Sequence, residues 1–162
     1  MEDPVLIHPD HTLPFVVTTD ASGYAVGAVL SQDQGNGQQP VAFYSHKMAK
    51  AERNYPVHEQ ELLAIILALE EWRCYLHGST HPVNIITDHQ SLKYLNSQPH
   101  LSSRQARWVE YLQQFDIVIS YREGKENVVA DALSRRGDYK KDVEAEEEKD
   151  EREFGTSVPR LR

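Results

Sequence analysis

The apolar positions near the start of the chain predict two strands joined by a tight turn. An apolar, β-branched run from Phe15 to Thr19 ends in one carboxylate, Asp20, and small turn residues occupy positions 21–23. A second apolar run extends from Tyr24 to Leu30, so the pair is typical of a β-hairpin. The first run has too few polar positions for a half-exposed strand. We therefore expect it at the centre of a mixed sheet, covered on both faces.

The rest of the chain alternates between short apolar runs, which predict strands, and longer segments with helical periodicity. The further predicted strands are Pro40–His46, Pro82–Asp88 and Asp116–Tyr121. In Pro56–Leu76 the apolar residues recur every three or four positions, which indicates a long amphipathic helix. Shorter helices are predicted at His89–Asn96, from Ser102 or Ser103 to Phe115, and at Asn127–Arg135.

The composition changes after residue 137, and this change sets the predicted domain limits. We expect residues 1–12 to form an extended lead-in, residues 13–137 to form one α/β domain, and residues 138–162 to form a charged tail. The tail has little apolar content and mixed charge, so the sequence predicts that it is disordered or loosely helical.

The cysteine count and the hydropathy of the chain exclude several classes of protein. The one cysteine, Cys74, excludes a disulfide framework and a cysteine-based zinc site, and we expect it to pack beside the long helix as a small apolar residue. No apolar run has the length of a membrane span, and no signal pattern opens the chain. The sequence therefore predicts a soluble chain with no membrane partner.

Four carboxylates stand at positions that matter for chemistry. Asp20 and Asp88 each end a predicted apolar strand, whereas Glu61 and Asp131 each lie in the second turn of a predicted helix. Each alone has an ordinary explanation, a turn cap for the aspartates on strands or a favourable charge near a helix N-terminus for Glu61. Three antiparallel strands followed by a helix and a fourth strand favour a right-handed crossover. That crossover would set Asp88 beside Asp20, with Glu61 and Asp131 close to both.

Clustered carboxylates need cations, because like charges at close range do not stay ionised without them. Oxygen ligands in a partly open cluster suit Mg²⁺ or Mn²⁺ better than zinc. Two such ions about 4 Å apart clamp the attacking and leaving oxygens in phosphodiester hydrolysis, so the topology predicts a site for two Mg²⁺ or Mn²⁺ ions. The net charge of −8 does not exclude a polyanionic substrate, but it predicts weak binding by this chain alone.

Long stretches of the chain resemble one known family. They are TTDASGYAVGAVLSQ, PVAFYSHKM, AERNYPVHEQELLAIILALEEWRCYLHG, TDHQSLKYL and RQARWVEYLQQFDIVISYREGKENVVADALSRR. From about residue 13 to residue 136, the chain resembles the ribonuclease H domain of gypsy-type LTR retrotransposon reverse transcriptase polyproteins. The resemblance implies a ribonuclease H-like α/β fold, in which helices flank a five-stranded mixed sheet of order 3-2-1-4-5.

The resemblance also implies a function, the endonucleolytic hydrolysis of the RNA strand of RNA–DNA hybrids. The polymerase part of the same polyprotein is then a partner. By position, the family's metal-binding carboxylates fall on Asp20 of TTDAS, Glu61 of QELLAI, Asp88 of TDHQS and Asp131 of ADALSR. This intact set favours a nuclease over a catalytically inactive ribonuclease H-like connector or binding module. A related integrase or resolvase nuclease on the same fold fits the motifs less well.

Two departures from cellular ribonucleases H bear on the expected activity. No Lys or Arg occurs from Tyr94 until Arg104, so the basic protrusion that grips the hybrid in cellular relatives is missing. Tyr121 occupies the place of a flexible-loop histidine, which weighs against fast product release. Arg104 and Arg107, one helical turn apart, are interpreted as a surface pair rather than a grip on phosphate.

Four residues near the carboxylates are candidates for substrate binding. The backbone N–H groups of Ser22 and Gly23 would reach the RNA ribose, where contacts to the 2′-OH distinguish RNA from DNA. His89, next to Asp88, would approach a substrate phosphate. Tyr121 would contribute packing or one hydrogen bond at the end of the last strand.

Overall fold

The fold is built on one five-stranded mixed sheet in the order β3-β2-β1-β4-β5. It is seen in a computed structural model that describes residues 5–90, 93, 95, 97–123 and 128–155. The strands are β1 (Val16–Ala21), β2 (Ala25–Asp33), β3 (Gln38–Lys47), β4 (Val83–Thr87) and β5 (Ile117–Tyr121). This strand order confirms the order that the family resemblance implied.

Strand β1 lies at the centre of the sheet, as its apolar composition predicted. It pairs antiparallel with β2, where Val16 lies opposite Ser31, and parallel with β4, where Val16 lies opposite Asn84. Phe15 and Val17 are fully buried in the main core. The parallel pairing confirms the predicted crossover, because it places β4 beside β1 on the side away from β2.

Six helices surround the sheet in the part of the chain that the structure describes. They are α1 (Lys50–Arg53), α2 (Val57–Glu71), α3 (Arg73–Leu76), α4 (Ser103–Leu112), α5 (Val128–Ser134) and α6 (Gly137–Gly155). The apolar stripe of α2 packs on β1 and β2 through buried residues such as Leu62, Ile65 and Leu69. This packing, rather than helix propensity, supplies most of a helix's stability in a folded protein.

The predicted helix Pro56–Leu76 is divided in two at Trp72. The backbone of Trp72 has φ −106° and ψ 25°, outside helical geometry, and separates α2 from α3. Its ring is buried and meets Tyr44 of β3 edge-on at a centroid distance of 6.3 Å. Cys74 in α3 is exposed, so the prediction that it packs as a small apolar residue is wrong.

Helix α4 begins as the sequence predicted, with Ser102 as its N-cap. Ser102 Oγ accepts from the Gln105 backbone N–H, and the Gln105 side chain accepts from the Ser102 N–H, which completes a capping box. The helix ends at Leu112 rather than at Phe115, because the chain turns through residues 113–115 before β5. Phe115 is buried in the core at this turn.

The tail after residue 137 was predicted to be disordered or loosely helical, and the structure shows the helical alternative, because residues 137–155 form α6. The carboxylate of Glu146 lies 3.1 Å from Lys47 Nζ and 3.2 Å from Arg53 Nη1, and Val143 is buried. Lysine and glutamate four residues apart on the helix, as at Lys140 and Glu144, add local support. These long-range ion pairs could not be foreseen from the tail alone. Residues 156–162 lie outside the described residues.

Several other predicted features fall partly outside what the structure describes. The predicted helix His89–Asn96 includes residues 91, 92, 94 and 96, and the predicted turn after β5 includes residues 124 and 125, all of which lie outside the described residues. Asn127, the predicted start of the last helix, also lies outside them. Among the described helices, none combines the length and the apolar character that crossing a membrane requires.

Candidate active site

Three of the four predicted carboxylates meet at one edge of the sheet. Asp20 lies near the end of β1, and Asp88 directly follows β4. Because β1 and β4 run parallel, their ends meet at the same edge, as the crossover predicted. Helix α2 brings Glu61 to the same place, and one carboxylate oxygen from each of Asp20, Glu61 and Asp88 lies within 4.8 Å of the other two. We call these three residues the carboxylate cluster.

Glu61 is held in an environment that does not suit an anion without a cation. It is only 6% exposed, and its Oε2 atom has no hydrogen-bond partner within the described part of the chain. Its neighbours on α2, Leu62 and Ile65, are buried in the core, so the helix cannot turn Glu61 towards solvent without exposing them. A buried carboxylate oxygen with no partner is costly, and a divalent cation among these oxygen ligands would satisfy it. The residues therefore fit a Mg²⁺ or Mn²⁺ site.

The pKa values of Glu61 and Asp20 reflect the same unfavourable burial of charge. Burial, with the nearby charges of Asp20 and Asp88, raises the pKa of Glu61 to about 9. Burial also raises the pKa of Asp20 to about 6, and a hydrogen bond with Ser134 opposes this rise. Without a cation, the cluster therefore holds protons near neutral pH. A divalent cation would favour the ionised carboxylates, because opposite charge lowers a carboxyl pKa.

Asp131 lies beside the cluster and not within the group of three. Its side chain is 47% exposed, and its Oδ1 accepts from Arg135 Nε at 2.7 Å. It still interacts with Asp20, because its charge and a side-chain hydrogen bond between the two residues both raise the pKa of Asp20. The structure thus brings three of the predicted residues together and places the fourth at their exposed rim.

Helix α5, which carries Asp131, is seated directly on the backbone of β2. A Cβ atom at Gly27 would lie 2.4 Å from the carbonyl oxygen of Ala130, so only glycine permits this approach. Two buried or half-buried serines hold the C-terminal carbonyls of α5. Ser45 Oγ donates to Leu133 O at 2.8 Å, and Ser22 Oγ donates to Ser134 O at 2.5 Å.

Ser134 is a contributor to the site that the sequence reasoning missed. It is fully buried, and its hydroxyl donates to Asp20 Oδ2 at 2.7 Å while its oxygen also lies 2.8 Å from Asp131 O. It therefore fixes the orientation of the Asp20 carboxylate and ties α5 to β1. The available signal was its spacing, because a residue three positions after Asp131 shares the same helix face.

The four predicted substrate-binding residues have different surroundings. The N–H of Ser22 already donates to Ala25 O at 2.8 Å, whereas Gly23 is exposed at the turn. His89 and Tyr121 line an open groove of about 540 Å³ beside Asp88. Gln90, Lys93 and Ser97 complete the described lining of this groove.

Arg104 is half-buried and engaged in an internal ion pair, so the interpretation that it forms a surface pair with Arg107 is corrected. Its guanidinium forms an ion pair with Glu59 and lies 3.8 Å from the centroid of the Tyr55 ring. Glu59 is buried and also accepts from Gln105 Nε2 at 2.9 Å. A buried carboxylate needs such partners. The network fixes the first turn of α2, two residues before Glu61, while Arg107 remains exposed.

The sequence is similar to that of known proteins over most of its length. The model of a family described as the RNase H-like domain found in reverse transcriptase matches residues 10–115. The matched segment includes Asp20, Glu61 and Asp88 and ends before Asp131. The Transposon Tf2-3 polyprotein of Schizosaccharomyces pombe (strain 972) is 47% identical over 135 residues, which are 82% of this chain and 10% of that polyprotein. The chain thus spans about a tenth of the curated relatives that it matches.

Two solved structures have a similar fold. The foamy viral protease-reverse transcriptase in complex with double-stranded DNA is 25% identical, with a TM-score of 0.61 over 73% of this chain and 25% of that chain. LC11-RNase H1 in complex with an RNA/DNA hybrid is 13% identical, with a TM-score of 0.55 over 75% of this chain and 92% of that chain. At this level of identity the second likeness concerns the fold alone.

Proposed function

Since this chain belongs to the family of RNase H-like domains found in reverse transcriptases, here from an LTR retrotransposon polyprotein, we propose that it is an endoribonuclease that hydrolyses the RNA strand of RNA–DNA hybrids. The observation that carries the proposal is the carboxylate cluster with its unpartnered Glu61 oxygen. A structural connector gains nothing from a carboxylate cluster in which burial opposes the ionisation of Asp20 and Glu61. The proposed catalytic domain comprises residues 13–137.

The proposed metal ligands are Asp20, Glu61 and Asp88, with Asp131 joining from the rim. The cluster is proposed to hold two Mg²⁺ or Mn²⁺ ions, which when bound supply the electrophilic stabilisation that phosphodiester hydrolysis needs. Ser134 keeps one oxygen of Asp20 engaged, so its other oxygen stays directed towards the cluster. The Glu59–Arg104 ion pair holds the first turn of α2 and thereby the position of Glu61.

The proposed substrate lies across the groove beside Asp88. LC11-RNase H1 was solved with an RNA/DNA hybrid, and a hybrid is the substrate that the shared fold supports for this chain. His89 and Lys93 line the groove and are positioned to meet the backbone phosphates of a hybrid. On the other side of Asp20, the N–H of Gly23 is proposed to contact the ribose 2′-OH, by which RNA is distinguished from DNA. Ser22 is proposed to act there by shaping the turn.

Affinity for the hybrid is proposed to depend on the rest of the polyprotein. The net charge of −8 and the lack of Lys or Arg between Tyr94 and Arg104 predict weak binding by this chain alone. The polymerase part of a reverse transcriptase would hold the same hybrid, and a tether raises the effective concentration of the second site. Tyr121 is proposed to support packing in the groove, since a phenol is a poor proton carrier at neutral pH compared with an imidazole.

The proposal is tested by cleavage of an RNA–DNA hybrid whose RNA strand carries an end label. Duplex RNA and duplex DNA serve as substrate controls. We expect internal cuts in the RNA of the hybrid only, with Mg²⁺ or Mn²⁺ and not with EDTA. Asp20→Asn should abolish the cuts, whereas Glu148→Gln, which removes an exposed tail carboxylate, should leave them unchanged. Hybrid binding without any cuts in the parent chain would contradict the proposal and favour the inactive connector.

A further inference from the structure

A second charged surface lies next to the turn that follows β1. Lys47 ends β3, and Lys50 and Arg53 lie on α1. We call these three residues the basic patch. The backbone N–H of Met48 donates to Tyr24 O at 2.8 Å, so this segment is fixed against the turn after Asp20. Tyr24 lies four positions after Asp20, which limits the distance between their Cα atoms to about 14 Å.

Helix α6 covers the basic patch with its own carboxylates. Glu146 lies 3.1 Å from Lys47 Nζ through Oε1 and 3.2 Å from Arg53 Nη1 through Oε2. Asp150 forms an ion pair with Lys50. Asp142 also lies 3.8 Å from Lys47 Nζ, so carboxylates spaced four residues apart at positions 142, 146 and 150 form a row that faces the three cations.

The contact between α6 and the domain is mainly ionic and incompletely packed. Val143 is the only residue of positions 137–152 in α6 that is fully buried. A cleft of about 380 Å³ remains between the helix and the domain, lined by Gly23 and Tyr24 on one side and by Glu144 and Glu147 on the other. The paired carboxylates of Glu146 and Asp150 are 48% and 43% exposed, although Arg53 is only 10% exposed, and ion pairs at such a surface contribute little each and weaken with salt. Another polyanion can therefore displace the helix.

We propose that the basic patch binds the phosphodiester backbone of a nucleic acid and that α6 occupies it as an internal competitor. The inference rests on the proposed function, because it assigns the patch to the substrate of the same site. A duplex whose backbone reaches the carboxylate cluster passes close to the patch, since the turn between them is short. A row of carboxylates on α6 then takes the place of a row of phosphates, and hybrid binding requires that α6 leave the patch.

Displacement of α6 is measured directly by hydrogen–deuterium exchange on the full chain. The probe is a short RNA–DNA hybrid in EDTA, so that no cleavage takes place. We expect amide exchange in residues 140–152 to rise several-fold at saturating hybrid, while exchange in β1 stays unchanged. Unchanged protection of residues 140–152 at saturation would overturn the inference.

Matched charge variants separate competition from a general effect of acidity. Glu146→Gln with Asp150→Asn removes two of the three carboxylates that pair with the patch and leaves Asp142, which lies 3.8 Å from Lys47 Nζ, whereas Glu148→Gln with Glu151→Gln removes two that form no ion pair with it. We expect the first pair to tighten hybrid binding by about fivefold at fixed salt, as the loss of two or three exposed ion pairs implies. The second pair should change binding by less than about twofold. Equal effects of the two pairs would contradict the inference.

A third variant identifies the surface that α6 vacates. Lys47→Gln with Lys50→Gln, added to Glu146→Gln with Asp150→Asn, should abolish the gain in affinity and make the salt dependence less steep by about two phosphate contacts. Retention of the gain would overturn the assignment of the patch. These binding results do not depend on cleavage. A chain that never cuts hybrid would refute the proposed function, whereas normal cleavage with a protected α6 would refute only this inference.

Discussion

The carboxylate cluster and helix α6 are both acidic, but their surroundings shift the pKa values of their carboxyl groups in opposite directions. In the cluster, burial raises the pKa of Glu61 to about 9 and that of Asp20 to about 6. In α6, Glu146 is exposed, and its hydrogen bond with Lys47 lowers its pKa. The first region opposes its own ionisation, whereas the second is stabilised by cations from the same chain. The number of acidic residues therefore says little about where a metal binds, and their burial says much more.

This difference also explains why the net charge is a poor guide to the substrate. The carboxylates of α6 form ion pairs with the basic patch, whereas no ion pair within the described part of the chain involves Asp20, Glu61 or Asp88. A stable domain has no folding reason to keep an unpartnered carboxylate such as Glu61. The cluster is therefore best explained by a ligand, and the tail by an internal ion-pair surface.

The largest expected effects come from removing one charge at a time from the carboxylate cluster and its rim. Asp20→Asn, Glu61→Gln and Asp88→Asn should each reduce hybrid cleavage by about a thousandfold or more, equivalent to about 4 kcal/mol of barrier. Asp131→Asn should cost less, since that residue lies at the rim. Neutralising a crowded carboxylate relieves repulsion, so thermal melts in EDTA should show no loss of stability. A destabilised Asp20→Asn would mean that Asp20 is structural.

The next largest effect is expected where α5 packs on β2, because the geometry of the carboxylate cluster depends on this close packing. The tail has no comparable packing. Gly27→Ala would force a Cβ against the Ala130 carbonyl, so we expect a loss of about 2 kcal/mol of stability and a large loss of cleavage. Gly137→Ala is the matched control, since nothing lies within 4 Å of a Cβ at that position. Thermal melts and cleavage assays of the two variants measure the contrast. An unaffected Gly27→Ala would show that α5 is not seated on β2 as described.

The pH dependence of stability separates the two regions by the sign of their pKa shifts. Glu61 has a folded-state pKa of about 9 against an ordinary value of 4.5, so between these values the native state binds more protons than the unfolded state. Stability in EDTA should therefore fall as pH rises through this window. Urea unfolding at about pH 6 and about pH 8 measures the slope. Glu61→Gln should flatten it, and Glu146→Gln should not. An unchanged slope in Glu61→Gln would contradict the burial of this charge.

The smallest expected effect concerns Tyr121, which borders the groove without contributing charge. Its side chain is exposed at the end of β5. Tyr121→Phe should reduce the rate by less than about tenfold, or about 1.4 kcal/mol of barrier. Steady-state rates from about pH 6 to about pH 9 provide the measurement. A hundredfold loss would show that the hydroxyl takes part in the reaction.

The strands and the meeting of Asp20 with Asp88 could be predicted from the sequence, because both follow from local patterns and from the crossover rule. The N-cap of α4 at Ser102 also follows from residues close together in the sequence, because the capping box joins Ser102 to Gln105. By contrast, Glu59 and Arg104 are 45 positions apart, so no sequence spacing indicates their ion pair. The ordered tail depends on Lys47 and Arg53, about 100 positions earlier, and a helix judged alone cannot show such partners.

The measurement that tests the central claim most directly is calorimetric titration of Mn²⁺ into the full chain at neutral pH, in two buffers that differ in ionisation enthalpy. Because Glu61 has a pKa of about 9 and holds a proton at neutral pH without a cation, metal binding should release about one proton. Asp20→Asn should lose the binding, whereas Glu148→Gln with Glu151→Gln should bind as the parent does. Binding that survives in Asp20→Asn but is lost in the tail variant would contradict the account, because the metal would then belong to the exposed acidic helix and not to the carboxylate cluster.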